Sequence, residues 1–225
     1  MRTMKVFRWL LDLLYPPKCV FCGRLLRENE TDLCVGCRTS LPTVNESVKR
    51  GSFYTGCCCV YYYEGAVRDS VLRYKFRSMR QYADAYGRLL AMRLLRQGET
   101  YDLLTWVPIS ARRRRSRGYD QAQLLARRTA LELGLPCVQT LRKIRHNPAQ
   151  SRQADAAARR ANVLGVYAAE KAESIKGKRI LLIDDVITPG ATLSECSKVL
   201  RAAGAETVAC ATLAATRETT GTNQK

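Results

Sequence analysis

From Cys57 onward the chain alternates between two kinds of hydrophobic pattern. Short, nearly continuous apolar runs stand at 57–63 ("CCCVYYY"), 101–110 ("YDLLTWVPIS"), 180–183 ("ILLI") and 206–214 ("ETVACATLA"). Such runs suit strands covered on both faces of a parallel sheet. Between them, apolar residues recur every three or four positions: Val67, Val71 and Leu72, then Leu89, Leu90, Met92, Leu94 and Leu95. The segment "DQAQLLARRTALELG" has the same period, opened by Gly118 and Asp120 and closed by Gly134 with Pro136 beyond. Leu193, Cys196, Val199, Leu200 and Ala203 form a last helical face, which Gly204 ends. Glycine and proline at those ends are ordinary helix stops. The alternation predicts an α/β domain, a mostly parallel sheet flanked by helices.

The cysteines fit that pattern only in part. Cys57, Cys58 and Cys59 are consecutive, and consecutive strand residues point to alternate faces, so they read as buried strand positions rather than as a metal cluster. Cys137, Cys196 and Cys210 are isolated and are expected in the core. Cys19, Cys22, Cys34 and Cys37 differ: they form two CxxC pairs separated by eleven residues, with Gly23 and Gly36 beside the sulfurs. Two such knuckles can close a tetrahedral site for one structural zinc ion, an iron–sulfur site being the chemical rival. With four protein ligands such a site has no open position for catalysis.

Ahead of the first knuckle, Val6, Leu10, Leu13 and Leu14 recur at helical spacing, an amphipathic helix that fits either the protein's own surface or a membrane. Arg8 and Asp12 interrupt its apolar run, so neither a signal peptide nor a transmembrane segment is expected. The expected location is cytoplasmic, at most peripheral at the inner membrane surface, where thiols stay reduced.

Charge narrows the partners. The 225 residues carry 38 basic and 20 acidic side chains, a net charge of +18, which points to phosphorylated metabolites, nucleic acid or an anionic membrane. Five arginines fall within 112–117, in "ARRRRSRGYDQ", read here as a loop between a strand and a helix. That is where open α/β sheets bind ligands, and arginine grips phosphate oxygens in pairs. The segment "RKIRHNPAQSRQADAAARRANVLGVY" is a polar, basic connection with a short helix expected at 155–160, and its His146, the sole histidine, has no partner for a catalytic triad.

Against this background, "ILLIDDVITPGATLSE" places Asp184 and Asp185 at the carboxyl end of an apolar strand, followed by a turn and a helix. Thr192 and Glu195 have capping-box spacing, with Thr192 as N-cap. A helix start with the Thr188 and Thr192 hydroxyls, and with Gly190 to allow close approach, is an anion site. It has neither the Walker nor the dinucleotide glycine pattern. An acidic pair directly before it can accept hydrogen bonds from a vicinal diol or, through water, hold magnesium. A phosphate plus a diol describes a ribose 5-phosphate.

"LLIDDVITPGATL" resembles the 5-phosphoribosyl-1-diphosphate (PRPP) signature of type I phosphoribosyltransferases. The wider chain resembles the ComF family of competence-associated, phosphoribosyltransferase-like proteins through "LLDLLYPPKCVFC", "YYYEGAVRDSVLRYKF", "VPIS…RGYDQA" and "PAQSRQADAAARRANVLGVY". The resemblance implies a helix and four-cysteine zinc module at 1–50 and a phosphoribosyltransferase-like domain at 51–217, and the polar segment at 218–225 is expected to be a disordered tail. It implies ribose contacts from Asp184 and Asp185, and 5-phosphate contacts from Thr188, Pro189, Gly190, Ala191 and Thr192. Arg117, Gly118 and Gln121 would lie near the diphosphate, and Gln150 and Asn162 match a second polar element. Asp120, Ser78 and Asn147 depart from the family pattern, which more often has Asn, Gly and Thr at those places, and "WVPI" replaces a more usual Pro-Val-Pro-Leu. As an enzyme the protein would use PRPP with magnesium. As a binding module it would handle single-stranded DNA, or recruit a competence helicase or another DNA-processing protein.

Overall fold

The computed structural model describes residues 16–48, 51–145 and 164–217. The expected N-terminal amphipathic helix, His146, Asn147, Gln150, Asn162, the helix at 155–160 and the tail at 218–225 lie outside the described residues.

Four parallel strands form the central sheet: β1 (Cys57–Tyr62), β2 (Leu103–Trp106), β5 (Arg179–Ile187) and β6 (Thr207–Ala215), in the order β1-β6-β5-β2. The helices around it are α1 (Val35–Ser40), α2 (Gly65–Phe76), α3 (Tyr82–Leu95), α4 (Ala111–Arg117), α5 (Gln121–Leu133) and α6 (Ala191–Ala202). An antiparallel ribbon of β3 (Leu141–Lys143) and β4 (Tyr167–Ala169) completes the fold.

Strand alternation divides the core into two layers. Leu181 and Ile183 of β5 pack with α2, α3 and α5, while Ile180 and Leu182 pack with Leu193, Cys196 and Leu200 of α6, and all four strand residues are fully buried. The cysteine triplet behaves as alternation requires: Cys58 joins the first layer, and Cys57 and Cys59 the second. Both sheet edges are covered, as exposed edges must be if they are not to pair with other chains. Residues 42–48 run antiparallel along β1, where Val44 N–H donates to Val60 at 3.0 Å, and 136–138 run along β2.

The zinc module shares the first layer. Phe21, between the two cysteines of the first knuckle, packs against Tyr61 and Tyr86 with ring centroids 5.1 and 5.9 Å away. Arg73 of α2 donates to the carbonyls of Phe21 (2.5 Å) and Val20 (3.3 Å), Ser70 Oγ donates to Val20 as well, and Arg88 of α3 forms a bidentate pair with Asp32.

Four expectations change. The arginine run is the helix α4, because the Ser110 hydroxyl caps it by accepting from Arg113 N–H and Gly118, at φ 75°, ends it. The left-handed φ at Gly118 favours glycine at this end, and an added Cβ would also displace the tip of Arg80. The capping box does not form: α6 starts at Ala191 behind Gly190 (φ 78°), and Glu195 instead accepts from Gly165 N–H at 2.7 Å. Strand β5 also runs past the acidic pair to Ile187, because β6 continues alongside it as far as Ala215. In α3, Met92 and Leu95 are exposed, and the apolar face is carried by Tyr82, Tyr86, Leu90 and Leu94.

Candidate functional site

Asp184 and Asp185 are neighbours in sequence but face different surroundings. Asp185 pairs with Lys75 Nζ at 2.8 Å, both side chains being mostly buried, and Lys75 comes from the last turn of α2. Burial opposes the Lys75 charge, yet Asp185 and then Asp184 outweigh it and raise its pKa. Asp184 feels Cys196 and Tyr167 of the other layer, and one of its oxygens accepts from Asp185 N–H at 2.8 Å. Burial, and after it the Asp185 carboxylate, push Asp184 up to about 8, with Lys75 pulling the other way. A carboxyl in that range is proton-sharing at neutral pH rather than fully charged.

Basic groups converge on the acids from three elements. Arg117, at the end of α4, donates to Gln121 Oε1 at 2.9 Å and lies over the Phe76 ring at 4.8 Å; burial depresses its pKa, and Asp185 opposes that. Gln121 is 1% exposed, and its Nε2 has no hydrogen-bond partner among the described residues, a buried donor left over. Gly118 O accepts from Arg80 at 2.9 Å. Lys143 of β3, over the Tyr167 ring at 5.3 Å, has its pKa lowered by burial first and Arg113 second, while Cys196 and Asp184 favour its charge.

Asp120, the departure from the family pattern, is structural here. One carboxylate oxygen accepts from Gln123 N–H (3.2 Å) as the N-cap of α5, and the other accepts from Ile109 N–H (3.1 Å). Burial raises its pKa, and those two backbone bonds act against the rise.

The sequence-predicted residues thus assemble in part. Arg117, Gly118 and Gln121 form one group beside Lys75 and Asp185, and the loop 188–190 leads from the end of β5 at Ile187 into the first turn of α6, where Ala191 and Thr192 sit. Lys75 and Lys143 were not among the residues singled out from the sequence. A lysine at a helix end before an exposed Phe76 gave a weak signal, and Lys143 was hidden within a basic run.

The four knuckle cysteines also converge. Their sulfur atoms all lie within 4.8 Å of one another, and Cys22 and Cys34 are 3.6 Å apart. Tetrahedral zinc with bonds of about 2.3 Å would set its sulfurs roughly 3.8 Å apart, so the donor set fits. The Cys37 N–H, then Arg24 and Cys22, hold the Cys34 thiol down to about 6 against the effect of its burial, which favours the thiolate a metal needs. Glu30 braces the module by accepting from Arg24 (2.6 Å), Arg27 N–H (2.8 Å) and Val35 N–H (2.8 Å).

Comparison with known proteins adds two domain matches: a phosphoribosyl transferase domain over 120–225 and a double zinc ribbon domain over 10–48. Competence protein F of Haemophilus influenzae is 27% identical over 85% of this chain and 93% of its own length. The DNA utilization protein YhgH of Escherichia coli K12 is 26% identical over 84% of this chain and 86% of its own. Competence protein ComFC of Streptococcus pneumoniae is 25% identical over 85% of this chain and 96% of its own. Among solved structures, the glutamine PRPP amidotransferase from B. subtilis superposes with a TM-score of 0.43 at 24% identity, over 62% of this chain and 30% of that one. With a phosphoribosyl transferase domain matched behind a double zinc ribbon domain, the chain is similar to these competence and DNA utilization proteins along most of its length.

Proposed function

We propose that the protein binds PRPP, or a closely related phosphorylated ribose, at the carboxyl end of β5, in the service of DNA uptake or nucleotide salvage. The observation that carries this reading is the continuity of strand, acids, loop and helix: Asp185 lies 6 residues before Ala191, the start of α6. In this reading Thr188, Pro189, Gly190, Ala191 and Thr192 surround the 5-phosphate at the helix start, where free N–H groups favour an anion. Asp184 and Asp185 accept from the ribose hydroxyls, and Arg117, Gly118 and Gln121 lie on the diphosphate side, with the spare Gln121 Nε2–H as a donor. Magnesium would accompany PRPP and offset the charge of its diphosphate. The reaction supported is displacement at C1 by a nitrogen nucleophile, with pyrophosphate leaving toward Arg117 and Lys75.

The cellular role draws on the relatives, which are named for competence and DNA utilization. A second reading has an observation of its own: α4 buries none of its residues, and its arginines 112, 114 and 115 are exposed. A non-catalytic module that holds single-stranded DNA along α4, or docks a DNA-translocating partner through the zinc module, fits that feature.

Titration of PRPP with magnesium into the wild type and an Asp184→Asn/Asp185→Asn variant tests the proposal. Saturable binding to the wild type, weakened at least about tenfold in the variant, is the expected outcome. No detectable binding to either protein overturns the ribose-phosphate reading. Binding with no pyrophosphate release for any nucleobase or ammonia favours a grip without chemistry.

A further inference from the structure

A cavity of about 560 Å³ lies away from the acidic pair, between the zinc ribbon, the strap over β1 and helix α3. It shares no residue with the phosphate loop, the acidic pair or the Arg117 group. Its volume falls in the range of small-molecule sites.

Four arginines and one acid line it: Arg38, Arg88, Arg93 and Arg96 against Asp32. Two of these arginines are committed to the walls. Arg88 is held bidentately by Asp32, and Arg93 donates to the Asn45 carbonyl. Arg38 and Arg96 are exposed, and their guanidinium groups make no hydrogen bond or ion pair with another described residue. The cavity therefore keeps a positive excess with two guanidinium groups free to bind. Leu89, Met92 and Val60 supply an apolar wall, and Met92, 52% exposed, leaves a methionine surface facing solvent. Thr31, Thr43 and Asn45 add short polar groups.

From these features we propose that this cavity is a second anion site, for a nucleotide unit. Guanidinium forks match phosphate oxygens, and Arg38 and Arg96 take the phosphate. The Leu89, Met92 and Val60 wall takes the flat, apolar face of the base, to which a polarizable methionine adapts. The short polar groups meet the sugar and base edges. Each wall comes from a different part of the fold, so the site exists only when the zinc ribbon is seated on α3.

The nucleotide unit can be free or part of a single strand, and the experiment separates the two. AMP, inorganic phosphate and a fluorescein-labelled dT oligomer are titrated into the full-length wild type, an Arg38→Ala/Arg96→Ala variant and a Thr188→Ala/Thr192→Ala variant. Neither guanidinium has a partner among the described residues to lose, so the first variant should unfold at the wild-type temperature. The proposal expects saturable binding of AMP or of the oligomer that weakens at least about tenfold in the arginine variant and stays within about twofold in the threonine variant. AMP binding as tightly as the oligomer assigns a free nucleotide, and tighter oligomer binding assigns a strand. Binding that is unchanged in the arginine variant, lost only in the threonine variant, or undetectable with both AMP and the oligomer overturns the proposal.

Discussion

The zinc knuckle and the end of β5 are built by opposite rules. Around the knuckle the acids and the inward carbonyls are answered: Glu30 accepts from one side chain and two backbone N–H groups, Asp32 meets Arg88, and the Val20 and Phe21 carbonyls are held by α2. At the end of β5, two carboxylates sit next to each other, one held by Lys75 and the other pushed up to about 8. A buried donor beside them is unpartnered among the described residues. The first region lowers its own free energy, and the second keeps unspent interactions for something else, which is how binding sites differ from scaffolds. The two are also connected: α2 grips the knuckle through Ser70 and Arg73, and two residues later delivers Lys75 to Asp185.

Removing the metal ligands is the harshest test of that contrast. Cys34→Ser, or treatment with a strong chelator, should unfold the whole chain in a single transition rather than release a tail, because Phe21 shares its layer with Tyr61 and Tyr86. Structural zinc contributes on the order of 10 kcal/mol to such modules, enough to exceed the stability of a domain of this size. Calorimetry with metal analysis checks it. A surviving transition for the sheet after complete zinc loss would show that the knuckle is an appendage and would remove one side of the comparison.

Lys75→Met sharpens the other side. It leaves Asp185 mostly buried beside Asp184 with its cation gone, and breaking a pair of this kind costs about 3 kcal/mol. Urea unfolding should register the loss, and adding Asp185→Asn to the same chain should recover most of it, since the stranded charge is then removed as well. A cost below about 1 kcal/mol would class the pair with exposed surface bridges and make the site far less strained than its geometry implies.

How much of this could be read from the sequence follows from the range of the forces involved. The buried strands were legible because continuous apolar runs need no distant information, and the cysteine spacing carries its own geometry. The α5 cap was legible too, with Asp120 in place and Gly134 in the left-handed region at φ 66°. Local rules failed where a distant group intervened. Glu195 had the spacing of a cap but was claimed by Gly165, thirty residues away. Asp184 and Asp185 read as one acidic pair, whereas tertiary packing gives one of them Lys75, 110 residues earlier, and the other the layer of Cys196. The arginine run read as a loop because its charge masked a serine cap and a glycine stop of ordinary strength.

The smallest effect expected is also the most specific to the strained end. Asp184 holds a proton in the folded chain up to about 8, whereas an unfolded aspartate releases it near 3.8. The folded state thus binds more protons across that window, and this group makes the protein less stable as pH rises through it. A hydroxyl donates more strongly to an ionised carboxylate, so affinity for PRPP should move the other way, strengthening by about tenfold between pH 7 and pH 9 as the ionised fraction grows. Asp184→Asn should flatten both trends while preserving an oxygen for the Asp185 N–H. Titrations and melting curves at matched ionic strength would record the two slopes. An affinity independent of pH above 5 in the wild type would place the Asp184 carboxyl in the ordinary range, and the end of β5 would then be as well satisfied as the knuckle.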